Sequence, residues 1–194
     1  MQQHRKVKVK EKKVLVAMRS HGDIVTVASI KMLGKMLLLA LIGIVMTANY
    51  AHAQTLKRQL VGSWSLVSVV NDVDGKKIDL YGPNPQGEFT FTADGHFSEN
   101  LMRPGRPKFA VNNRLSGTAE ENKEALAGYL SLFGTYTINS DGLLMLHVVG
   151  SSFPNWDGTE QQRRVQIKGT ELTWSNSTPS TGSGNVVIML RRSK

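Results

Sequence analysis

Between residues 60 and 192 apolar and polar positions alternate with a period of two in a series of short segments, the pattern of half-buried β-strands. Trp64, Leu66, Ser68 and Val70 share one parity until Asp72–Gly75 breaks the run. Ile78 and Leu80 mark a second strand, ended by the Gly- and Pro-containing stretch Tyr81–Gly87. Phe89 and Phe91 alternate with Thr90 and Thr92, Asp94-Gly95 signals a hairpin, and Phe97, Glu99 and Leu101 return on one parity. Further strands are predicted around Tyr136 and Ile138, over Leu143–Val149, over Arg163–Lys168, at Leu172 and Trp174, and over Val186–Arg192.

One helix interrupts this series. Thr118 to Glu121 fits a capping box, and Glu120, Glu121 and Glu124 suit the positive N-terminal end of a helix. Leu126, Tyr129, Leu130 and Phe133 are spaced as a single apolar stripe, with Gly134 placed to end it. About nine short strands and one helix predict an all-β antiparallel barrel or sandwich. Tight turns at Asp72–Gly75, Asp94-Gly95, Asn139–Gly142 and Lys168–Glu171 alternate with long connections at 81–87, 103–133, 150–158 and 176–184. In an up-and-down meander this puts the tight turns at one end and the long loops at the other, where binding residues are expected. A further strand near Lys108–Val111 would exchange the ends downstream.

Charge changes the picture only once the chain is divided. The 194 residues carry a formal +9, but residues 1–53 hold nine Lys/Arg against two acids, and residues 54–194 hold 15 against 13. A nucleic-acid partner calls for a basic patch on the folded domain, so this distribution argues against one. Lys31 and Lys35 precede an apolar core at 36–48, too short to span a bilayer comfortably, and Ala51-His52-Ala53 supplies a small-x-small cleavage pattern. Residues 1–53 are therefore expected to be a basic leader and secretory signal peptide cut after Ala53, with an uncleaved anchor helix as the alternative. A domain of 54–194 would follow, periplasmic or secreted, with no membrane span of its own. With no cysteine in the chain, stability must come from packing.

Gly62-Ser63-Trp64 at the first strand resembles the G-x-W signature of lipocalins. LVGSWSLVSV (60–69), YGPNPQGEFTFTADGHFSENLM (81–102), GYLSLFGTYTI (128–138) and HVVGSSFPNWDGTEQQR (147–163) together resemble a bacterial and fungal family of lipocalin-like domains. The resemblance implies a lipocalin-like, calycin-type up-and-down β-barrel of about 8–10 strands with one helix between strands, and implies little about activity. In lipocalins the signature Trp packs at the closed end, whereas the loop count above puts Trp64 at the long-loop end.

Arg163 shares a strand face with Val165 and Ile167, and a guanidinium on an apolar face must be paired or meet a ligand. It either anchors an anionic or carbonyl end of a ligand, or pairs with an inward carboxylate such as Glu99, or stacks on a Trp. His147, within a run of Leu, Met and Val, is a ligand contact or acid–base group, or else a satisfied core or rim histidine. Tyr136 offers a hydroxyl to a cavity or fills the core; Trp156 caps the cavity or pins its loop; Arg103 points to the mouth or to solvent. Trp64 reads as core, packed by Arg192.

Only His96 and His147 follow residue 53, and there is no cysteine, so zinc sites of three His or of Cys are not available to the domain. No motif calls for a cofactor. The expected function is binding of a small apolar or amphipathic molecule, with Arg163, His147, Tyr136, Trp156 and Arg103 as candidate ligand contacts. The alternatives are an isomerase- or cyclase-type enzyme using His147 and Arg163 on one cavity, and an envelope module whose barrel is filled by its own side chains.

Overall fold

A computed structural model describes residues 30–45, 47 and 51–194 of the chain. The chain divides into two units, Met1–Ala48 and Asn49–Lys194. In the first, residues 30–45 are helical and exposed. The basic stretch at 1–29 and the end of the apolar core lie outside the described residues, and among those described no helix is long and apolar enough to cross a membrane.

The second unit opens with a helix over 51–60 (α1) that the alternation pattern does not announce. It is followed by β1 (Gly62–Val73), β2 (Lys76–Asp79), β3 (Gln86–Phe91), β4 (His96–Met102), α2 (Ala119–Ala127), β5 (Tyr129–Ile138), β6 (Leu143–Ser151), a 3₁₀ turn at Pro154–Trp156, β7 (Glu160–Lys168), β8 (Glu171–Asn176) and β9 (Asn185–Arg192). Every pairing is antiparallel and runs between sequence neighbours from β3 to β9. Pairing of β9 with β1, from Trp64↔Arg192 to Asp72↔Asn185, closes the sheet.

Nine strands make an eight-position barrel because β2 and β3 share one edge of β1. Val70–Val73 pair with β2 and Gly62–Ser65 with β3, both antiparallel, so the 80–85 connection does not reverse the chain. This corrects the assignment of ends. The Asp74-Gly75 turn, with φ of 53° and 82° as a tight hairpin turn requires, lies at the long-loop end. Only the turns at 92–95, 139–142 and 169–170 pinch the other end, and Trp64 sits there, where the lipocalin resemblance places it.

Closure at that end is built from few residues. Leu56 and Leu60 of α1, one helical turn apart, join the barrel core, and Trp64 beside them is fully buried. The Trp64 indole N–H donates to the Leu60 carbonyl at 2.8 Å. The Arg192 guanidinium lies 4.1 Å from the Trp64 ring centroid and donates to the carbonyls of Val61 at 3.0 Å and of Gln59. A cation over an indole with its N–H groups satisfied is a stable way to cover a barrel mouth.

Two local expectations are also corrected. The β1 alternation is interrupted by a bulge between Leu66 and Ser68, after which Val69 and Asn71 face inward instead of Ser68 and Val70. The predicted helix stops at Gly128. Thr118 forms the expected capping box, but Tyr129, Leu130 and Phe133 belong to β5, where Leu132 and Tyr136 are buried and Phe133 is exposed. Gly134 ends no helix. A Cβ there would collide with the His147 carbonyl on β6, beside a second bulge.

Because Leu60 is fully buried between α1 and Trp64, Leu60→Ala should lower stability by about 2–5 kcal/mol, with a residual cavity setting the value. Urea titration followed by circular dichroism would show this; a loss under about 1 kcal/mol would mean that α1 is not part of the cooperative unit.

Candidate functional site

Inside the open end, the strands and the long loops enclose a cavity of about 230 Å³. Its apolar lining comes from Val69 on β1, Leu101 on β4, Leu130 on β5, Trp174 on β8 and Ile188 on β9. Trp156, from the 3₁₀ turn, and Pro179, in the β8–β9 loop, lie over it. The polar lining includes Tyr81, Glu99, Arg103, Arg163 and Asn176.

Arg163 is only 3% exposed, and the parity it shares with buried Val165 brings it inside. Its guanidinium lies 5.8 Å from the Trp156 ring centroid and 5.9 Å from that of Trp174, between two aromatic faces. It donates to its neighbour's carbonyl, Gln162 O, at 2.8 Å and to the side-chain oxygen of Gln161. Gln161 in turn donates to Thr159 Oγ1 at 3.0 Å, and Thr159 donates to the Trp156 carbonyl at 2.7 Å. This relay fixes the loop that holds Trp156. A guanidinium has five N–H donors, so Arg163 retains capacity beyond these two bonds.

Glu99 faces the same cavity from β4, 4% exposed, and its Oε1 has no hydrogen-bond partner among the described residues. Burial pushes its carboxyl up to about 8, and Arg163 offsets that only in part. Burial likewise lowers Arg163 from its ordinary value, with Glu99 opposing. For both groups desolvation outweighs mutual attraction, as expected of charges that lack a close, hydrogen-bonded contact. No direct pair is formed: the ion pairs within 4 Å among the described residues are His147–Glu160 and Arg191–Glu171. Tyr81, also buried, is raised above the usual phenol value by its surroundings, with Arg103 opposing.

Of the residues singled out in the sequence, Arg163, Trp156 and Arg103 line the cavity. The Arg103 guanidinium makes one long contact, 3.5 Å to the Leu80 carbonyl. His147 does not line it. Its side chain is half exposed on the outer face of β6, with Nδ1 2.7 Å from Glu160 Oε1, because Leu146 and Val148 take the inward positions on either side. Tyr136 is buried below the cavity, its ring edge-on to Phe91 and its hydroxyl donating to the Thr92 carbonyl at 2.8 Å. It fills the core at the pinched end. Glu99, expected from the sequence only as a partner for Arg163, also lines the cavity, midway between inward Phe97 and Leu101, the same signal that marks Arg163.

A meander closed on itself, a G-x-W tryptophan at its pinched end, and a small cavity at the other define the architecture. A family model described as a lipocalin-like domain matches residues 61–191, the whole of the strand region. The chain belongs to the lipocalin-like domain family. A curated relative, the 4'-hydroxy-3'-methoxypropiophenone carrier protein ppsC of Aspergillus oryzae, is 40% identical over 94 residues, which is 45% of this chain and 85% of the relative.

The Glu99 carboxyl binds its proton more tightly in the folded barrel than in the unfolded chain. Its contribution to stability is therefore full below the ordinary carboxyl value near 4.5 and is lost as pH rises to about 8. Melting curves between these limits should show the native protein losing stability relative to Glu99→Gln, which has no proton to lose. The difference should reach about 1–3 kcal/mol, the scale of a buried polar group left without a partner. Parallel curves for the two proteins would show that Glu99 is solvated.

Proposed function

We propose that the barrel binds a small amphipathic molecule built on a single aromatic ring, held with its ring against the tryptophans and its polar end at Arg163 and Glu99. The observation that carries this reading is the pair of buried ionisable groups opening on one cavity with no direct bond between them. Such groups are costly unless something polar meets them, and a ligand pocket is typically an apolar chamber with a few placed polar groups. Size supports a compact ligand: about 230 Å³ lies below the roughly 300–1,000 Å³ of drug-sized pockets, too little for a long acyl chain. The name of the Aspergillus oryzae relative, a carrier of a one-ring ketone, is consistent with this class of ligand.

The enzyme alternative required the His147 ring and the Arg163 guanidinium on one cavity, and the outward placement of His147 removes the support for it in that form. We also propose export, on the strength of the lysines, apolar core and Ala51-His52-Ala53 pattern of the leader. Cleavage after Ala53 would keep Leu56 and Leu60, the two leucines of α1 that join the core. Intact-mass measurement of the protein recovered from the cell envelope would test this, with a chain beginning at Gln54 as the expected result.

Binding is tested by isothermal titration calorimetry with 4-methoxyacetophenone, a neutral one-ring ketone. Saturable binding is expected, weakened about tenfold or more by Trp156→Ala or Arg163→Met, since each removes an interaction worth at least about 1.4 kcal/mol. His147→Ala should leave it unchanged. Equal loss with His147→Ala, or no saturable heat with one-ring ketones or acids, would sink the proposal.

A further inference from the structure

We propose that Glu99 serves the cavity as a neutral carboxylic acid, so that Glu99 and Arg163 form a two-donor site for an acceptor oxygen of the ligand, a carboxylate or ketone on the ring. The inference rests on the ligand-binding reading of this cavity and adds the hydrogen-bonding sense of what binds there.

The geometry carries it. Glu99 stands between inward Phe97 and Leu101 on β4, and its Oε1 meets no donor among the described residues. A carboxylate left without a donor at Oε1 is costly to bury, whereas a carboxylic acid is itself a donor. Arg163 spends two donors on Gln161 and Gln162 and has N–H groups beyond these. The other titratable or charged groups on the cavity are Tyr81, on the connection after β2, and Arg103, just past β4. The cavity-lining residues of β1, β5, β8, β9, α2 and the β8–β9 loop carry no ionisable group, and β3 and β6 contribute none to the lining. Of the cations on the wall, Arg163 is the one whose charge opposes the burial of Glu99, and burial prevails, leaving a carboxyl pushed up to about 8. Tyr81 is raised above its ordinary value of 10.0, beyond that window.

Two converging donors discriminate by sign. An acceptor oxygen satisfies both, whereas an ammonium group meets the Arg163 charge, a mismatch that disfavours it. The arrangement also has a pH limit. Once Glu99 ionises, the site loses a donor and puts a negative charge beside a carboxylate ligand, so affinity for such a ligand should fall by up to about tenfold per pH unit above the Glu99 value.

The test compares 4-methoxybenzoate with 4-methoxyacetophenone by calorimetry from about pH 6 to about pH 9.5, a range in which neither probe changes charge. Wild type should bind the benzoate more tightly than the ketone at pH 6 and lose about tenfold in benzoate affinity by pH 9.5, while the ketone changes little. Glu99→Gln, which keeps a donor but cannot titrate, should bind the benzoate with the same affinity across the range. A flat benzoate profile in wild type, or the same decline in Glu99→Gln, overturns the inference while ketone binding leaves the carrier reading standing. Failure of both probes at every pH overturns the two together. The wild-type profile alone is decisive if the variant does not fold.

Discussion

A guanidinium and a carboxyl inside an apolar barrel set the terms for the open half of this molecule. Arg163 and Glu99 are each almost fully buried, and neither is relieved by a direct ion pair. In an interior of low polarity, such groups are tolerated only where the wall supplies compensating contacts. Here the wall supplies two tryptophan faces and a glutamine to the cation, and to the acid the charge of Arg163 without an ion pair. The half-buried Arg192, over Trp64, makes a contrast. Arg192 sits nearer its tryptophan, at 4.1 Å, and spends its donors on backbone carbonyls, which finishes a seal. Arg163 is left with donors in hand, beside space.

The space exists because of how the chain is counted around the barrel. Were β2 and β3 two full strands at separate positions, the chain would reverse between them and the long loops would all fall at the end where Trp64 sits. Instead the pair occupies one edge of β1, split around the 80–85 connection. The three long connections at 103–128, 152–159 and 177–184 then gather at one end. All three contribute to the cavity lining, through Arg103 and Ala127, Trp156, and Pro179 with its neighbours. The split also leaves Leu80 and Tyr81 on that lining, in a stretch that an unbroken strand would have held in the wall.

Much of this was legible in the residues, and the gaps have identifiable causes. Strand parity alone put Arg163 and Glu99 indoors, because a period-two signal survives wherever one face of a sheet is buried. The same signal misled at His147, where apolar residues on both faces of β6 hide which parity is inward; Val149, exposed, and Val148, buried, look alike in sequence. It misled again in β1, since a bulge changes parity without leaving a glycine to mark it. The overlong helix has another cause. Residues 126, 129, 130 and 133 satisfy a helical stripe, yet Leu130, Leu132, Gly134 and Tyr136 satisfy a strand equally well, and the β4 and β6 edges on either side decide between them. α1 went unseen because a leader was set aside at Ala53, one helical turn before Leu56 joins the core.

The two ends of the barrel are held by different kinds of force. At the pinched end, Leu56, Leu60 and Trp64 are buried in the core with Arg192 over the indole, so opening it exposes apolar surface and disrupts closure of β9 on β1. At the open end the loop carrying Trp156 is held by hydrogen bonds, among them the relay through Thr159 and Gln161 to Arg163, Ser151 N–H to Asp157 Oδ1 and Gly158 N–H to the Val148 carbonyl. Hydrogen bonds near a mouth exchange with water at small net cost, while buried apolar contacts do not. The relay also sets Arg163 between cavity and loop: its guanidinium faces the one, and its bond to Gln161 leads through Thr159 to the Trp156 carbonyl in the other.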